Sequence, residues 1–354
     1  MQSKIYELLE HNQDLLKDRR LVIAGAVTDE RVLNLCLSCK SASVITDNLL
    51  CARRMAAMIG QECSDKRRQR FSYKHLNVFF DTIDEASAAL ESLDALLLIL
   101  DKSKAQNSKI IFLIASRLED NALVLCAGEN NGGGKSADTL LKALGEPCKA
   151  DSRRKCTLFA TELKNRPALP KTSPALTLEI DGTELTLAQD EAVFSMGRVD
   201  PGTRMLLETL GDVCAGRRAL DLGCGCGVAG IFMKKKGALS VTSTDISAAA
   251  LALCEKNAAL NQVSLEIKAA DSLDFEGKFD LIAVNPPFHQ GNGFERQTAL
   301  GIIKKAASHL NQGGELRLVG NTFLGYGAYL NEFFSDVEVL ARDTRFCVYR
   351  AKNS

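Results

Sequence analysis

Four consecutive residues, Asn285-Pro286-Pro287-Phe288, follow the apolar run 279–284 and carry the groups that methylation of an amine requires. An amide or exocyclic ring nitrogen has a delocalised lone pair, so acceptors must hold the nitrogen and aim it at the methyl carbon. Proline has no N–H donor and extends the residue before it, so the Asn285 side chain and the Pro286 carbonyl can accept from one amine. Phe288 offers a flat face on which a base can stack. The tetrapeptide therefore predicts methyl transfer from a sulfonium to nitrogen, with Asn285, Pro286 and Phe288 as catalytic residues.

A glycine-rich turn lies upstream of this tetrapeptide and supplies a candidate cofactor site. The apolar segment 219–222 predicts a strand, and the turn after it contains Gly223, Gly225 and Gly227. Glycine is used where a backbone turns sharply and a ligand must approach it without a Cβ in the way. Two later predicted strands end in carboxylates. They are Asp245, which can accept hydrogen bonds from ribose hydroxyls, and Asp271, which is placed to receive an adenine amino group.

The turn also matches the dinucleotide-binding pattern G-x-G-x-x-G, through Gly225, Gly227 and Gly230. Asp221 opposes that interpretation, because a carboxylate just before the turn would bind a ligand amino group and repel a pyrophosphate. Hydride transfer also has no use for the tetrapeptide at 285–288. We therefore predict that the cofactor is S-adenosyl-L-methionine. The residues predicted to hold it are Asp221, Gly223, Gly225, Gly227, Asp245, Asp271 and Asn285.

The composition of the chain bounds its location and its cofactors. Its 354 residues suffice for two domains with separate cores. No run of 18 apolar residues occurs and the N-terminus lacks an apolar signal core, so we expect a cytoplasmic protein with no membrane partner. The twelve cysteines lie in apolar segments, as buried thiols of a reducing compartment do. Cys36 and Cys39 have C-x-x-C spacing but no second pair to complete four ligands, so we expect no metal.

Positive and negative side chains balance at 44 each, so any attraction for nucleic acid must come from local patches. The densest cationic run spans residues 66–70. Arg67, Arg68 and Arg70 in this run are candidate RNA-binding residues, because such groups can contact phosphates. A solvated surface segment is the alternative interpretation.

The order of predicted elements divides the chain into domains. Three of the seven prolines fall within residues 166–174 and mark a linker, and Asp181-Gly182 predicts a hairpin turn after it. We expect a first domain over residues 1–165, a linker and hairpin over 166–190, and a catalytic domain over 191–354. From residue 219 onward strands and helices alternate, which predicts an α/β fold with a parallel, doubly wound, Rossmann-like sheet.

Two crossover helices can be placed in the catalytic domain. Ser247 can cap a helix over 248–260. A second helix, over 301–310, is expected to end at the glycine pair Gly313-Gly314.

The first half of the chain repeats the pattern of the second. An offset of 198 residues separates Gly25 from Gly223 and Asp47 from Asp245. The first half has Ile23 where the second has Asp221, and it has no counterpart of residues 285–288. We therefore expect two tandem methyltransferase-like domains, of which the N-terminal one is degenerate and binds no cofactor.

With these motifs placed, the chain resembles the RsmC family of ribosomal RNA guanine-N2 methyltransferases along nearly its whole length. Besides the motifs above, the resemblance rests on residues 199–203, 289–291, 313–317 and 345–351. It implies two class I methyltransferase domains. It also implies transfer of a methyl group to the exocyclic amine of a guanine, nucleotide 1207 of 16S rRNA in the small ribosomal subunit. We expect the protein to act on this partner as a monomer.

Three other functions remain open at this point. A similar enzyme methylates a guanine of 23S rRNA, and the segment 345–350 is the main reason to prefer the small subunit. A protein-glutamine methyltransferase could use the same two acceptors, although such enzymes usually have tyrosine in the place of Phe288. A non-enzymatic RNA-binding or ribosome-assembly module could retain the fold without turnover.

Overall fold

The structure, a computed structural model, describes residues 4–168, 173–193, 197–286 and 293–353, and only the backbone of 293–299. The chain divides into two compact units, Met1–Thr172 and Ser173–Ser354. The division falls inside the proline-containing segment that was predicted as a linker. The hairpin after it belongs to the second unit.

The first unit is built on one eight-stranded sheet in the order β3-β4-β2-β1-β5-β6-β8-β7. Its strands are β1 (Arg20–Gly25), β2 (Ser41–Thr46), β3 (Gln69–Tyr73), β4 (Leu76–Phe80), β5 (Leu93–Ile99), β6 (Leu118–Glu129), β7 (Cys148–Arg153) and β8 (Cys156–Glu162). Its helices are α1 (Lys4–His11), α2 (Val32–Leu35), α3 (Leu49–Met58), α4 (Ile83–Ala88), α5 (Lys104–Ala115) and α6 (Ala137–Leu141). The five adjacent strands β4, β2, β1, β5 and β6 are parallel, whereas β3, β7 and β8 run antiparallel to their neighbours.

The second unit begins with an antiparallel hairpin of β9 (Leu176–Ile180) and β10 (Thr183–Leu187). A seven-stranded sheet follows, in the order β13-β12-β11-β14-β15-β17-β16. Its strands are β11 (Arg218–Leu222), β12 (Ser240–Asp245), β13 (Glu266–Ala269), β14 (Phe279–Val284), β15 (Leu310–Asn321), β16 (Asp336–Arg342) and β17 (Phe346–Lys352). Its helices are α7 (Pro201–Glu208), α8 (Val228–Lys235), α9 (Ala248–Leu260), α10 (Gly293–His309) and α11 (Tyr326–Leu330). The five adjacent strands β13, β12, β11, β14 and β15 are parallel. The central strands β11 and β14 are apolar and buried on both faces of the sheet.

The two units share one topology. If the edge strand β3 is set aside, each sheet has the order third, second, first, fourth, fifth, seventh, sixth in its own chain order. This confirms the predicted α/β class and the two tandem Rossmann-like units. The extra strand β3 carries the candidate residue Arg70 at the edge of the first sheet.

Most predicted elements near the site occur where they were expected. Ser247 Oγ accepts from the backbone N–H of Ala250 at 3.2 Å and caps α9. The prediction for α10 was wrong at its start, because the helix begins at Gly293, whereas its end at His309 agrees with the prediction to within one residue. The glycine pair lies inside β15. The register between β14 and β15 shifts there, between Phe279 and Leu281, so the glycines sit in an irregular start of a strand.

Asn257 of α9 and Asn261, the C-cap of that helix, attach the hairpin to the rest of the second unit. Asn257 Oδ1 accepts from the backbone N–H of Ala188 at 2.7 Å, and its Nδ2 donates to the carbonyl of the same residue at 3.3 Å. One turn later, Asn261 makes the same pair of hydrogen bonds with Thr186, at 3.1 and 2.6 Å. Each side-chain amide therefore forms the pair of hydrogen bonds, one to a backbone N–H and one to a backbone carbonyl, that a neighbouring strand would otherwise form.

Candidate functional site

A cleft of about 660 Å³ opens at the carboxyl ends of the parallel strands of the second unit. Open α/β sheets bind ligands at this edge, because the side chains and loops that leave the strands converge there. The residues predicted from the sequence that line it are Asp221, Gly223, Gly225, Asp245, Asp271, Asn285 and Pro286. The structure thus brings together residues that are far apart in the chain. Phe288 lies outside the described residues.

The three predicted glycines have two different structural roles. Gly223 and Gly225 have φ of 71° and 52°, and a Cβ added to either would meet no atom within 4 Å, so the backbone is open to a ligand. Gly227 has φ of 80°, but a Cβ there would lie 2.6 Å from Cys254 Sγ. Gly227 therefore allows the turn to pack against α9 and does not line the cleft.

Asp221 is buried at the end of β11. Its Oδ2 accepts from the backbone N–H of Gly230 at 2.8 Å. Burial raises the pKa of Asp221 to about 7, against the effect of that hydrogen bond and with a further contribution from the charge of Asp245. Gly230 also matters for packing, because a Cβ there would lie 2.5 Å from Ser243 Oγ.

Asp245 closes the glycine-rich turn. Its Oδ2 accepts from the backbone N–H of Gly225 and its Oδ1 from that of Ser247, both at 3.0 Å. Burial raises the pKa of Asp245, and these backbone hydrogen bonds partly offset the rise. Asp271 lies two residues beyond the end of β13 and is partly exposed to the cleft. Three carboxylates thus stand at the ends of three adjacent strands.

Asn285, directly after β14, is held by the first turn of α7. Its Nδ2 donates to Thr203 Oγ1 at 2.8 Å and to Asp200 Oδ2 at 3.2 Å. Asp200 is the N-cap of α7, and its Oδ2 also accepts from the backbone N–H of Thr203 at 2.9 Å. Sequence reasoning missed Asp200 and Thr203 as site residues. The available signal was the capping pattern Asp-Pro-Gly-Thr itself.

Cationic side chains also line the cleft and were not singled out from the sequence as site residues. Arg198 and Arg345 are exposed residues of its wall. The Arg345 guanidinium lies 5.1 Å from the centre of the Phe346 ring. Positive charge and an aromatic ring at one wall suit a nucleic-acid ligand.

The equivalent position in the first unit offers far less space. The cavity beside Ala26 and Ile99 measures about 40 Å³, and Tyr6 and Leu9 of α1 line it. Gly25 adopts φ of 100°, and a Cβ there would collide with the carbonyl of Ile99. The absence of a cofactor from this unit stays a prediction.

The candidate RNA-binding arginines are largely engaged by acids. Arg67 forms an ion pair with Glu85 at 3.0 Å, and Arg68 pairs with Asp81 at 3.2 Å and with Glu85 at 3.3 Å. Arg70 instead donates to the neutral amide of Asn77 at 3.0 Å. These contacts weaken the case for Arg67 and Arg68 and favour Arg70.

Within the described ranges, no group of three or more metal-binding side chains occurs. No helix in the same ranges is long and apolar enough to cross a membrane. The cleft itself fits S-adenosylmethionine. Its open glycine backbone can receive the ligand, and its acids at three strand ends can receive the ammonium, ribose and adenine groups.

Comparison with known proteins identifies the family. The family "Methyltransferase small domain N-terminal" matches residues 6–175, and "Methyltransferase small domain" matches residues 184–350. The ribosomal RNA small subunit methyltransferase C of Aeromonas hydrophila subsp. hydrophila is 33% identical over 364 residues, covering 99% of this chain and 98% of that protein. The protein of the same name from Haemophilus influenzae strain PittGG is 42% identical over 237 residues, covering 65% and 70%.

Among solved structures, the fold is similar to "T. thermophilus 16S rRNA N2 G1207 methyltransferase (RsmC) in complex with AdoMet and guanosine". The TM-score is 0.81 at 23% identity, covering 100% of this chain and 93% of that one. The protein is an S-adenosylmethionine-dependent methyltransferase, and its chain belongs to the ribosomal RNA small subunit methyltransferase C family.

Proposed function

We propose that this enzyme methylates the exocyclic N2 amine of a guanine in 16S rRNA of the small ribosomal subunit, at nucleotide 1207. The observation that carries the proposal is the orientation of Asn285. Its NH2 group is engaged by Thr203 and Asp200, which leaves Oδ1 as an acceptor at the cleft. An acceptor there suits a nitrogen that bears hydrogens. The names of the relatives and of the structural neighbour support the choice of RNA and of nucleotide.

The roles of the other residues follow from the cleft. Asp221, Asp245 and Asp271 would hold the cofactor, with Gly223 and Gly225 offering it an open backbone. Bound S-adenosylmethionine supplies a methyl group already activated by a positive sulfur. The chain's task is to aim the amine, with Asn285 Oδ1 and the Pro286 carbonyl as acceptors and Phe288 as a stacking face. The amine proton can leave after the methyl has transferred, so no strong base is required.

We also propose that the first unit contributes to RNA docking and that the enzyme is a cytoplasmic monomer without a metal. Of the three candidate arginines, Arg70 is the best placed for a phosphate contact. Its guanidinium meets a neutral amide and lies 5.1 Å from the centre of the Phe79 ring.

Methyl-group mapping tests this function. Purified unmethylated small subunits, large subunits and translation termination factor would each be incubated with the enzyme and cofactor carrying a labelled methyl group. We expect label on N2 of nucleotide 1207 in 16S rRNA. Asn285→Ala should lower turnover by orders of magnitude and change cofactor affinity only a few-fold, because the loss falls on positioning in the transition state. Label in 23S rRNA or on a glutamine side chain would overturn the assignment.

A further inference from the structure

We propose that Asp200 and Thr203 are positioning residues that set the polarity of the Asn285 amide. They would hold its carbonyl oxygen toward the target nitrogen and its NH2 group away from it. The inference rests on the proposed function, because it assigns residues that act through Asn285 on the amine acceptor. Neither residue needs to touch the substrate.

The polarity originates at Asp200. An ionised carboxylate only accepts hydrogen bonds, and a threonine hydroxyl can donate one and accept another. Thr203 Oγ1 lies 3.5 Å from Asp200 Oδ2, to which it donates, and it accepts from Asn285 Nδ2 at 2.8 Å. Asn285 Nδ2 also donates directly to Asp200 Oδ2 at 3.2 Å.

The reversed amide is disfavoured by the same carboxylate. Rotation of the Asn285 side chain by a half-turn would place Oδ1 where Nδ2 now stands, 3.2 Å from Asp200 Oδ2. Two acceptors would then face each other without a hydrogen between them, in a half-buried site. The hydroxyl of Thr203 could adapt to either orientation, but the carboxylate of Asp200 could not.

The local backbone is built to bring Asp200 to this place. Asp200 caps α7 through the backbone N–H of Thr203, and Pro201 occupies the first turn. A Cβ at Gly202 would lie 3.0 Å from Asp200 Oδ2 and 2.9 Å from Phe346 Cδ1, so glycine lets the carboxylate fold back over the turn. The cap of the helix and the orientation of the amide thus share one oxygen atom.

A fixed acceptor has a consequence for substrate choice. The site can receive an N–H group but offers no donor from Asn285 to a keto oxygen or a carboxylate. It should therefore distinguish guanosine from inosine, which lacks the 2-amino group. Without Asp200 and Thr203 the Asn285 amide could rotate by a half-turn, and the preference for guanosine over inosine would fall.

Conservative variants separate positioning from capping. Asp200→Asn keeps an N-cap acceptor of nearly equal quality but introduces a donor. Thr203→Val removes only the hydroxyl, and Thr203→Ser retains it. We expect Asp200→Asn and Thr203→Val to lower kcat at least tenfold while the cofactor Kd and the Tm stay near wild type. Thr203→Ser should recover more than half of the kcat that Thr203→Val loses.

A binding readout without turnover completes the test. The side-chain NH2 of Asn285, observed by NMR in selectively labelled protein, should exchange slowly in wild type and at least tenfold faster in Thr203→Val. The NH2 of Asn257, which donates to the Cys226 carbonyl at 2.9 Å, is the internal reference and should not change. Titration with guanosine and inosine, in the presence of the demethylated cofactor, would then measure discrimination.

The outcomes distinguish a failure of the proposed function from a failure of the positioning role. If wild type binds guanosine no better than inosine, the proposed guanine acceptor is wrong, although slow exchange at Asn285 would still support the positioning role. If wild type prefers guanosine and both Asp200→Asn and Thr203→Val keep that preference and kcat within twofold, the positioning role is overturned. A Thr203→Ser variant as slow as Thr203→Val would also overturn it, because shape and not the hydroxyl would then matter.

Discussion

Gly230 donates its backbone N–H to Asp221 Oδ2 over 2.8 Å, which joins the first turn of α8 to the end of β11. Glycine favours this approach, since a Cβ at residue 230 would lie 3.1 Å from the same oxygen and 2.5 Å from Ser243 Oγ. Burial nevertheless dominates and raises the pKa of Asp221 to about 7. The carboxyl group therefore changes its charge near neutral pH.

This titration predicts a pH-dependent stability for the cofactor-free enzyme. Between about pH 4 and 7 the folded state holds a proton on Asp221 that the unfolded state has lost, so the free energy of unfolding falls as pH rises. The contribution is complete below about pH 4 and lost as pH rises through about 7. At about 1.4 kcal/mol per pH unit, it amounts to no more than about 4 kcal/mol.

The measurement is denaturant unfolding of wild type and Asp221→Asn at pH 5 and pH 8. The neutral variant should gain stability relative to wild type as pH rises. Burial also raises the pKa of Asp81 to about 7, but that group is present in both proteins and cancels in the difference. An unchanged difference between pH 5 and pH 8 would contradict the prediction.

Gly223→Ala should lower cofactor affinity because it blocks the ligand's approach, and a control variant shows the effect of backbone strain alone. The residue faces open space at the cleft with φ of 71°, so a methyl group would occupy the ligand's approach. Gly216→Ala is the matched control, with φ of 74°, no atom within 4 Å and no place in the cleft lining. Both variants should lose about 1 kcal/mol of stability from the left-handed backbone. By calorimetry, only Gly223→Ala should lose cofactor affinity, and equal affinities would refute the assignment.

The cofactor should bind one unit only. Asp245→Ala is expected to abolish S-adenosylmethionine binding, because the ribose acceptor and the closure of the glycine-rich turn are both lost. Asp47→Ala, at the corresponding position of the first unit, should bind normally. Calorimetry that finds two cofactors per chain, or a loss of binding in Asp47→Ala, would show that the first unit is not degenerate.

Arg317→Met should cost much more stability than the loss of a surface ion pair. Arg317 donates to Glu315 at 2.7 Å, and both side chains are nearly inaccessible. Burial would raise the pKa of Glu315, but the hydrogen bond and charge of Arg317 lower it on balance. Removing one partner of a buried pair typically costs about 3 to 5 kcal/mol.

Asp336→Asn is the control, because its pair with Arg350 is partly exposed and such pairs contribute about 0 to 1 kcal/mol. Denaturant midpoints of the two variants, at equal slopes, give the comparison. Similar losses of stability in the two variants would mean that the ion pair between Arg317 and Glu315 contributes no more than an exposed pair does.

We expect two arginines of the cationic run to have different roles, Arg70 in RNA docking and Arg68 in the stability of the fold. Arg70→Gln is expected to weaken RNA binding and to reduce the salt slope by about 1, as loss of one phosphate contact does. Arg68→Gln should instead lower Tm, because it leaves the buried carboxyl of Asp81 without its ion pair. Lys142→Gln, at an exposed pair with Asp138, serves as the control. If Arg70→Gln keeps the salt slope of wild type, the docking surface lies elsewhere.

The sequence predicted helices and strands correctly where they depend on interactions between residues a few positions apart. The apolar segment 219–222 predicted β11, and the Ser247 cap predicted α9, because burial and capping act over a few residues. The glycine pair 313–314 misled, because the same residues that end a helix also permit an irregular start to a strand. Local pattern alone does not distinguish these two uses.

Contacts between distant residues could not be predicted. Asn285 and Thr203 are 82 positions apart, and only the folded sheet brings the end of β14 to the start of α7. Asn257 lies in α9 and Asn261 is its C-cap, and the sequence there gives no sign that their amides bond to the backbone of β10 and the residue after it. Such roles depend on which elements become neighbours, and one sequence without its fold does not specify that.

Helix α7 is secured at both ends by residues of neighbouring strand segments. Its N-cap Asp200 accepts from Asn285 just past β14, and the carbonyl of its C-cap Thr209 accepts from Arg317 of β15 at 3.0 Å. The helix therefore links the buried ion pair to the amide at the cleft through hydrogen bonds at its two ends. A substitution of Arg317 removes the hydrogen bond at the C-terminal end of α7, and we expect it to slow methyl transfer although it changes no residue that binds substrate or cofactor.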